Sequence, residues 1–553
     1  MKPRTRPERR FRSIIVGCVL LFLIRSATVQ AAGGPDDALR GYLDRAYPCE
    51  ITRVVVDVEK AVVEGRIGQD ATDVFLARAP LELPITAVDR FEVVGPIRAG
   101  GDGRFSVSVP GDRLLDRWAI VAKAAGGGVG LMSHLRYADE VKADAAPPWP
   151  TPRGKKGIGA LWPGRPLADL DDLGISWATV NVSINGFMRT TPGAGRTAFE
   201  AEGRTWYADD GYVANLDRAL LEAARRQITV SAIILVGHAK SAADPAWGKL
   251  IAHPDADPAG HFAMPNLVSR EGVQAYAAAL EFLARRYCRA DGQFGRIHHW
   301  ILHNEVDAGW EWTNAGEKTA LAYLDLYHKS MRMAHLIARR YDPRAKAFIS
   351  LTHFWSRPGG KHFYASRELL ELLLAFSRAE GDFDWGIAQH PYPQDLGNPR
   401  VWEDKAVNFT FDTPQITFKN IEVLDAWVRR PAAMYLGTHV RSVHLTEQGL
   451  NSRDYSEKSL RDQAAGMAYA WKKIEGLKTI EAFDYHNWVD NRGEGGLRIG
   501  LRRFADDQDE PLGKKPVWLV YQAAGTDREA EVFAPYKSVV GVKEWGEVRR
   551  SLP

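Results

Sequence analysis

Two carboxylates in this chain stand where carboxylates are costly. Glu305 closes the run Trp300-Ile301-Leu302-His303-Asn304-Glu305, and Glu447 closes Ser442-Val443-His444-Leu445-Thr446-Glu447, which continues into Gln448-Gly449. Both runs read as buried strands, and burying an unpaired carboxylate carries a large penalty. Two such strand ends point to one site where a pair of carboxyl groups faces a bond to be broken. One group would handle a proton while the other attacks or stabilises charge.

Those ends need a scaffold that brings them together. Beyond the Pro-rich stretch 145–152, apolar strands alternate with amphipathic helices, the sequence form of a parallel α/β fold. Eight strands are expected at 158–162, 177–184, 229–236, 299–303, 347–351, 385–389, 442–446 and 480–485. Helical patterns are expected at 167–173, 216–226, 273–286, 318–339, 367–376, 457–474 and 517–524. Eight strand–helix units make a (β/α)8 TIM barrel. A doubly wound sheet is the alternative, but no Gly-rich nucleotide loop follows the first strand. Long connections at 185–207, 237–270, 391–419 and 487–507 would rise from the C-terminal face, where barrel sites sit.

The strand ends are polar and aromatic where a barrel core would be apolar. They carry Trp162, Asn181 and Asn185, His238, then His303-Asn304-Glu305 followed by Asp307, Trp310, Glu311 and Trp312. The later strands add His353 and Trp355, His390-Pro391-Tyr392, Glu447, and His486-Asn487-Trp488. Across roughly residues 155–530 this set resembles the glycoside hydrolases of clan A, retaining enzymes on (β/α)8 barrels. The segment His303–Trp310 is similar to that of an uncharacterised bacterial glycosidase-like group. The resemblance implies Glu305 as acid/base after the fourth strand and Glu447 as nucleophile after the seventh, in a Thr-Glu-X-Gly setting. It also implies that the His-X-Tyr element, here His390 and Tyr392, and Trp488 after the eighth strand line the site. Retaining cleavage places the two carboxyls about 5–5.5 Å apart, so that one attacks the anomeric carbon directly. Tyr392 would hydrogen-bond Glu447, and Asn304 would hold the sugar 2-hydroxyl. Trp162, Trp310 and Trp488 would offer flat faces to sugar rings, with His238 and His353 as further lining. The activity expected is hydrolysis of O-glycosidic bonds in an oligo- or polysaccharide, without a cofactor.

Other readings stay open. Either glutamate alone could be an ion-paired structural residue, and His238 and His353 could be satisfied core histidines. Asp307 and Glu311 could stand in for Glu305 as the acid, although they fall in a loop. His238, His303, Glu305, His353, His390 and Glu447 could gather a divalent metal as a barrel metal hydrolase does, but residues 157–162 lack the His-X-His such enzymes carry. A non-catalytic exported carbohydrate-binding protein is the third class.

The bulk numbers fit this picture. The 553 residues carry a formal charge of +3, but residues 1–25 alone hold seven Lys/Arg against Glu8; removing that +6 leaves −3, so no basic footprint argues for nucleic acid. The basic start, the apolar run 14–24 and Ala31-Ala32 read as a signal peptide over residues 1–32, implying export to the periplasm or beyond and no membrane span after cleavage. Residues 47–144 read as an all-β sandwich, with Asp102-Gly103 as a hairpin turn. Residues 145–155 form a stiff linker, 156–530 the barrel and 531–553 a C-terminal extension. Cys49 and Cys288 are expected as free buried thiols. Oligomeric state is not legible in the sequence.

Overall fold

The computed structural model describes residues 34–123, 128–143 and 146–552; the expected signal segment, residues 1–32, lies outside the described residues. Eight parallel strands close into a barrel in chain order. They are β1 (Lys156–Ile158), β2 (Trp177–Ser183), β3 (Thr229–Leu235), β4 (His299–Leu302), β5 (Lys346–Leu351), β6 (Gly386–Gln389), β7 (Val443–Gln448) and β8 (Ile480–Tyr485). Closure comes from β8 pairing back onto β1, with Tyr485 opposite Ile158. The first strand stops before the expected 162. Past Ile158 the chain turns away, with the Leu161 amide bonded to the Thr179 carbonyl at 2.9 Å, so Trp162 stands on a loop rather than a strand.

Between and after the strands lie α1 (Ala168–Asp172), α2 (Asp210–Arg225), α3 (Arg270–Tyr287), α4 (Ala320–Tyr341), α5 (Ser366–Glu380), α6 (Glu422–Val428), α7 (Glu457–Ile474) and α8 (Pro516–Ala523). Four of the longer ones start on side-chain caps: Asp209, Ser269, Thr319 and Ser456 each accept from a backbone amide of the first turn. The sequence pattern missed α6. All seven of its residues are buried, Glu422 and Asp425 being paired with Lys473 and Arg429, so it has no exposed polar stripe and is too short for a period to show. Inside the barrel, Ile233, Leu235, Ile301, Phe348 and Ala388 form their own apolar cluster, with Phe262 packed against it. That plug is the floor on which the C-terminal loops rest.

Ahead of the barrel, two four-stranded sheets make the expected β-sandwich. One runs Arg104–Pro110, Lys60–Arg66, Glu50–Val56, Glu140–Val141; the other runs Glu92–Pro96, Val74–Ala79, Arg117–Lys123, Val129–Leu131. It is docked on the barrel through Arg340 of α4, which bonds Asp112 at 2.6 Å, and the helix Pro35–Asp44 ahead of it docks through Tyr42 Oη, which donates to Glu380 at the end of α5 at 2.8 Å. The Pro-rich stretch is not a free spacer. Trp149 donates its indole N–H to Asp342 at 2.6 Å and meets His298 and His299 edge-on, strapping the connection to the N-terminal end of β4. The C-terminal residues pack back on α7, where Lys473 Nζ donates to the Val548 carbonyl at 3.0 Å. Cys49 and Cys288 are both buried and unpaired. No helix among the described residues is long and apolar enough to cross a membrane.

Candidate active site

Glu305 sits one step beyond β4, in a conformation few residues adopt. Its φ is +37° and ψ 62°, the left-handed region, where a non-glycine residue is strained and is held only by its surroundings. Here the Glu305 amide donates to Ser350 Oγ of β5 at 2.9 Å, and Thr313 Oγ1 donates to the Asn304 carbonyl at 2.9 Å. The turn aims the carboxyl across the barrel mouth. Glu447 projects from β7 toward the same point. Gly449, two residues on, has to be glycine: a Cβ there would meet the His486 carbonyl of the β8 end at 1.9 Å. The Thr446-Glu447-Gln448-Gly449 run therefore records the close approach of β7 and β8.

The buried imidazole of His390, just past β6, ties the two strands together. Its Nδ1 lies 2.9 Å from Glu305 Oε1 and its Nε2 3.1 Å from Thr446 Oγ1. Burial disfavours the imidazolium, but the Glu305 hydrogen bond and the negative charges of Glu447, Glu305 and Asp307 outweigh it, raising the His390 pKa above the usual histidine value. Tyr392 Oη donates to Glu447 Oε1 at 3.1 Å. Burial and the Glu447 charge push the phenol well above its ordinary pKa, so it remains a donor at neutral pH. One ligand atom from each of Glu305, His390 and Glu447 falls within 4.8 Å of the others.

These groups border a cavity of about 410 Å³, whose lining includes Asn304, Glu305, His353, Tyr392 and Glu447 over the apolar floor of Ile233, Leu235 and Phe262. Tyr392→Phe removes one hydrogen bond to a charged group, about 1.5–3 kcal/mol. The expected result is a fall in turnover of roughly 10- to 100-fold with a melting temperature lowered by no more than a few degrees, read by steady-state kinetics beside a melting curve.

Several expected lining residues stand elsewhere. Trp488 is fully buried and donates its indole N–H to Asp169 at 2.9 Å, locking β8 to α1, so no face is left for a sugar. His390 is also fully buried and positions Glu305 instead of meeting a substrate. His238 lies against Gly260, outside the lining of the cavity that Glu305 and Glu447 border. Trp310 stacks on His362, centroids 4.4 Å apart, and borders a neighbouring cavity. Trp162 borders another, which shares Asn181 with the cavity of Glu305 and Glu447. His303 is consumed by the Ile234 carbonyl and Ser330 at 2.7 and 2.9 Å.

Asp307 does not stand in for Glu305. It is fully buried, and Thr352 and Ser366 donate to its carboxyl, pinning the β4 loop to β5 and α5. Burial is the largest influence and pushes its pKa up to about 6. The folded chain thus holds this proton more tightly than the unfolded one, so the stabilisation is full below about pH 4 and is lost as pH rises through about 6. Asp307→Asn should gain on the wild type by roughly 2–3 kcal/mol between pH 4 and pH 7. A difference in unfolding free energy that stays flat across that range would refute this.

Strand-end reading gave no role to one further pair. Glu494 borders the cavity, accepting from Asn487 and Asn491 at 3.0 and 2.9 Å and contacting His486 Nε2 at 3.2 Å. Burial acts to raise its pKa, but these partners prevail and hold it below the usual glutamate value. Glu494 lies nine residues past β8, in a loop whose course no periodicity reveals. Trp312, stacked on His261, also borders the cavity.

Residues 148–548 match the model of a family of unknown function, DUF5722. No curated protein matches the sequence. Among solved structures, the chain is similar to a family 39 glycoside hydrolase from Bacteroides cellulosilyticus WH2, at 12% identity over 87% of this chain and 83% of that one, TM-score 0.42. It is also similar to a glucosidase from Croceicoccus marinus, at 13% identity over 69% of each chain, TM-score 0.42. A family 1 β-glucosidase from Thermotoga maritima aligns at 14% identity over 68% of this chain and 98% of that one, TM-score 0.41.

Proposed function

We propose that this chain, which belongs to the DUF5722 family, hydrolyses O-glycosidic bonds of an oligo- or polysaccharide with retention of anomeric configuration. The observation that carries this reading is the approach of the Glu305 and Glu447 carboxylate oxygens to within 4.8 Å across the barrel mouth. Inverting enzymes separate their carboxyls by about 6.5–9.5 Å to admit a water, whereas retaining enzymes hold them about 5–5.5 Å apart. Glu447, oriented by Tyr392, attacks the anomeric carbon as Glu305 passes its proton to the departing oxygen. Glu305 then takes a proton from water, which attacks the glycosyl–Glu447 ester and frees both carboxyls. His390 fixes the Glu305 carboxyl between β4 and β7 during both steps.

Proton NMR of the first product formed on an active member of a glycan panel tests this directly. The product should appear first in the anomeric form of the bond cleaved; the opposite anomer would rule out double displacement.

The same cluster supports a second reading. Glu305, His390 and Glu447 make up a carboxylate–imidazole set of the kind that holds a divalent cation. Against it, both His390 nitrogens already have protein partners. Loss of activity in a chelator, with restoration by a single metal, would favour this reading over the glycosidase.

A further inference from the structure

The cavity beside the catalytic one has an occupant-shaped problem. It measures about 490 Å³, is bordered by Trp162, Arg165 and Tyr212, and shares Asn181 with the cavity of Glu305 and Glu447. Arg165 is half-buried, and among the described residues its guanidinium makes no ion pair or hydrogen bond. Several arginines around the barrel are satisfied within the chain. Arg189, Arg226, Arg286 and Arg502 each pair with an aspartate. Burial pulls Arg165 down from the ordinary arginine value, and the only charge opposing this is Glu494, which its own neighbours already hold. A half-buried guanidinium that borders a cavity and has no side-chain partner among the described residues offers its fork to an anion from outside the chain.

Its support is pre-set. The Leu161 amide is tied to the Thr179 carbonyl at 2.9 Å, and the Leu167 amide to the Arg165 carbonyl at 2.8 Å. Gly164 turns the loop at φ +93°, which a side chain would resist. Trp162 meets Tyr212 at 5.6 Å between centroids and presents an apolar wall beside the guanidinium.

Resting on the retaining-glycosidase reading, we propose that Trp162 and Arg165 form a subsite for a sugar ring bearing an anionic group, so that the substrate is an acidic glycan. The ring packs on Trp162, and its carboxylate or sulfate takes the guanidinium fork. Asn181 marks the passage from this subsite to the bond that is cleaved.

The test reads binding without turnover, in the full chain carrying Glu447→Gln, by isothermal titration. The probes are uronic acid trisaccharides of gluco, galacto and manno configuration, their carboxyl-reduced neutral counterparts, and sulfated versions of those neutral sugars. At least one charged trisaccharide should bind 10-fold or more tightly than its neutral counterpart, and more weakly as salt rises. Adding Arg165→Gln should remove that preference, and Arg165→Lys should restore part of it. Comparing the uronate and sulfate arms identifies the anion. Equal affinity for charged and neutral sugars, a preference that survives Arg165→Gln, or no binding of any charged member at millimolar concentration would overturn the subsite. Inverted product stereochemistry would instead remove the catalytic reading while leaving the binding result interpretable.

Discussion

Glu447→Ala is expected to lower turnover by on the order of 10⁴-fold or more, while the protein melts at or near the wild-type temperature. The half-buried Glu447 side chain reaches into the cavity and has a single side-chain partner, Tyr392. Its removal therefore leaves space at the barrel mouth without orphaning a buried charge. The Tyr392 hydroxyl, left without its acceptor, faces the cavity and its water. Azide fits the vacated space and needs no general base, so it should restore part of the rate and yield a glycosyl azide of inverted configuration. Near wild-type turnover in Glu447→Ala would remove Glu447 from the chemistry altogether. Lost turnover without azide rescue, in a folded protein, would point toward the metal reading.

The second large effect belongs to Glu305. Glutamine keeps its shape and leaves an amide oxygen for His390, but it can neither give nor take a proton. Natural substrates, whose leaving alcohols need protonation, should lose on the order of 10³-fold or more in kcat/KM. Aryl glycosides with an acidic phenol should lose far less in the first step, because the leaving group departs unprotonated. For those substrates the second step becomes limiting, and an initial burst of phenol should appear. Equal losses on both substrate types would mean that Glu305 is structural. Burst kinetics in stopped flow, compared between an alkyl and a dinitrophenyl glycoside, make the distinction.

Much of the scaffold is legible in the sequence. Eight apolar runs in β/α alternation suffice for a closed barrel, because each strand is buried on both faces and each helix on one. The long helices α3, α4 and α7 announced themselves by their period. The short α6 did not, for all seven of its residues are buried and its two acids are paired inside the fold. The pairing of Glu305 with Glu447 followed from strand order, since ends of parallel strands in one barrel meet at one rim.

What the chain alone determined was which residues reach that rim. Strand counting places Glu305, His353, Tyr392 and Glu447 there because strand direction is uniform. Which way each side chain turns after its strand ends was decided only by the tertiary structure. Trp488 and Trp162 looked alike as aromatic strand ends, yet Asp169 of α1 captures the first and a glycine turn leaves the second open. His390 looked like a sugar contact and became the brace between Glu305 and Thr446. Arg165 gave no signal at all, for a guanidinium without a partner is visible only once every candidate partner has been placed. Periodicity is a local property of the chain; loop direction and unmet hydrogen bonds depend on neighbours hundreds of residues away.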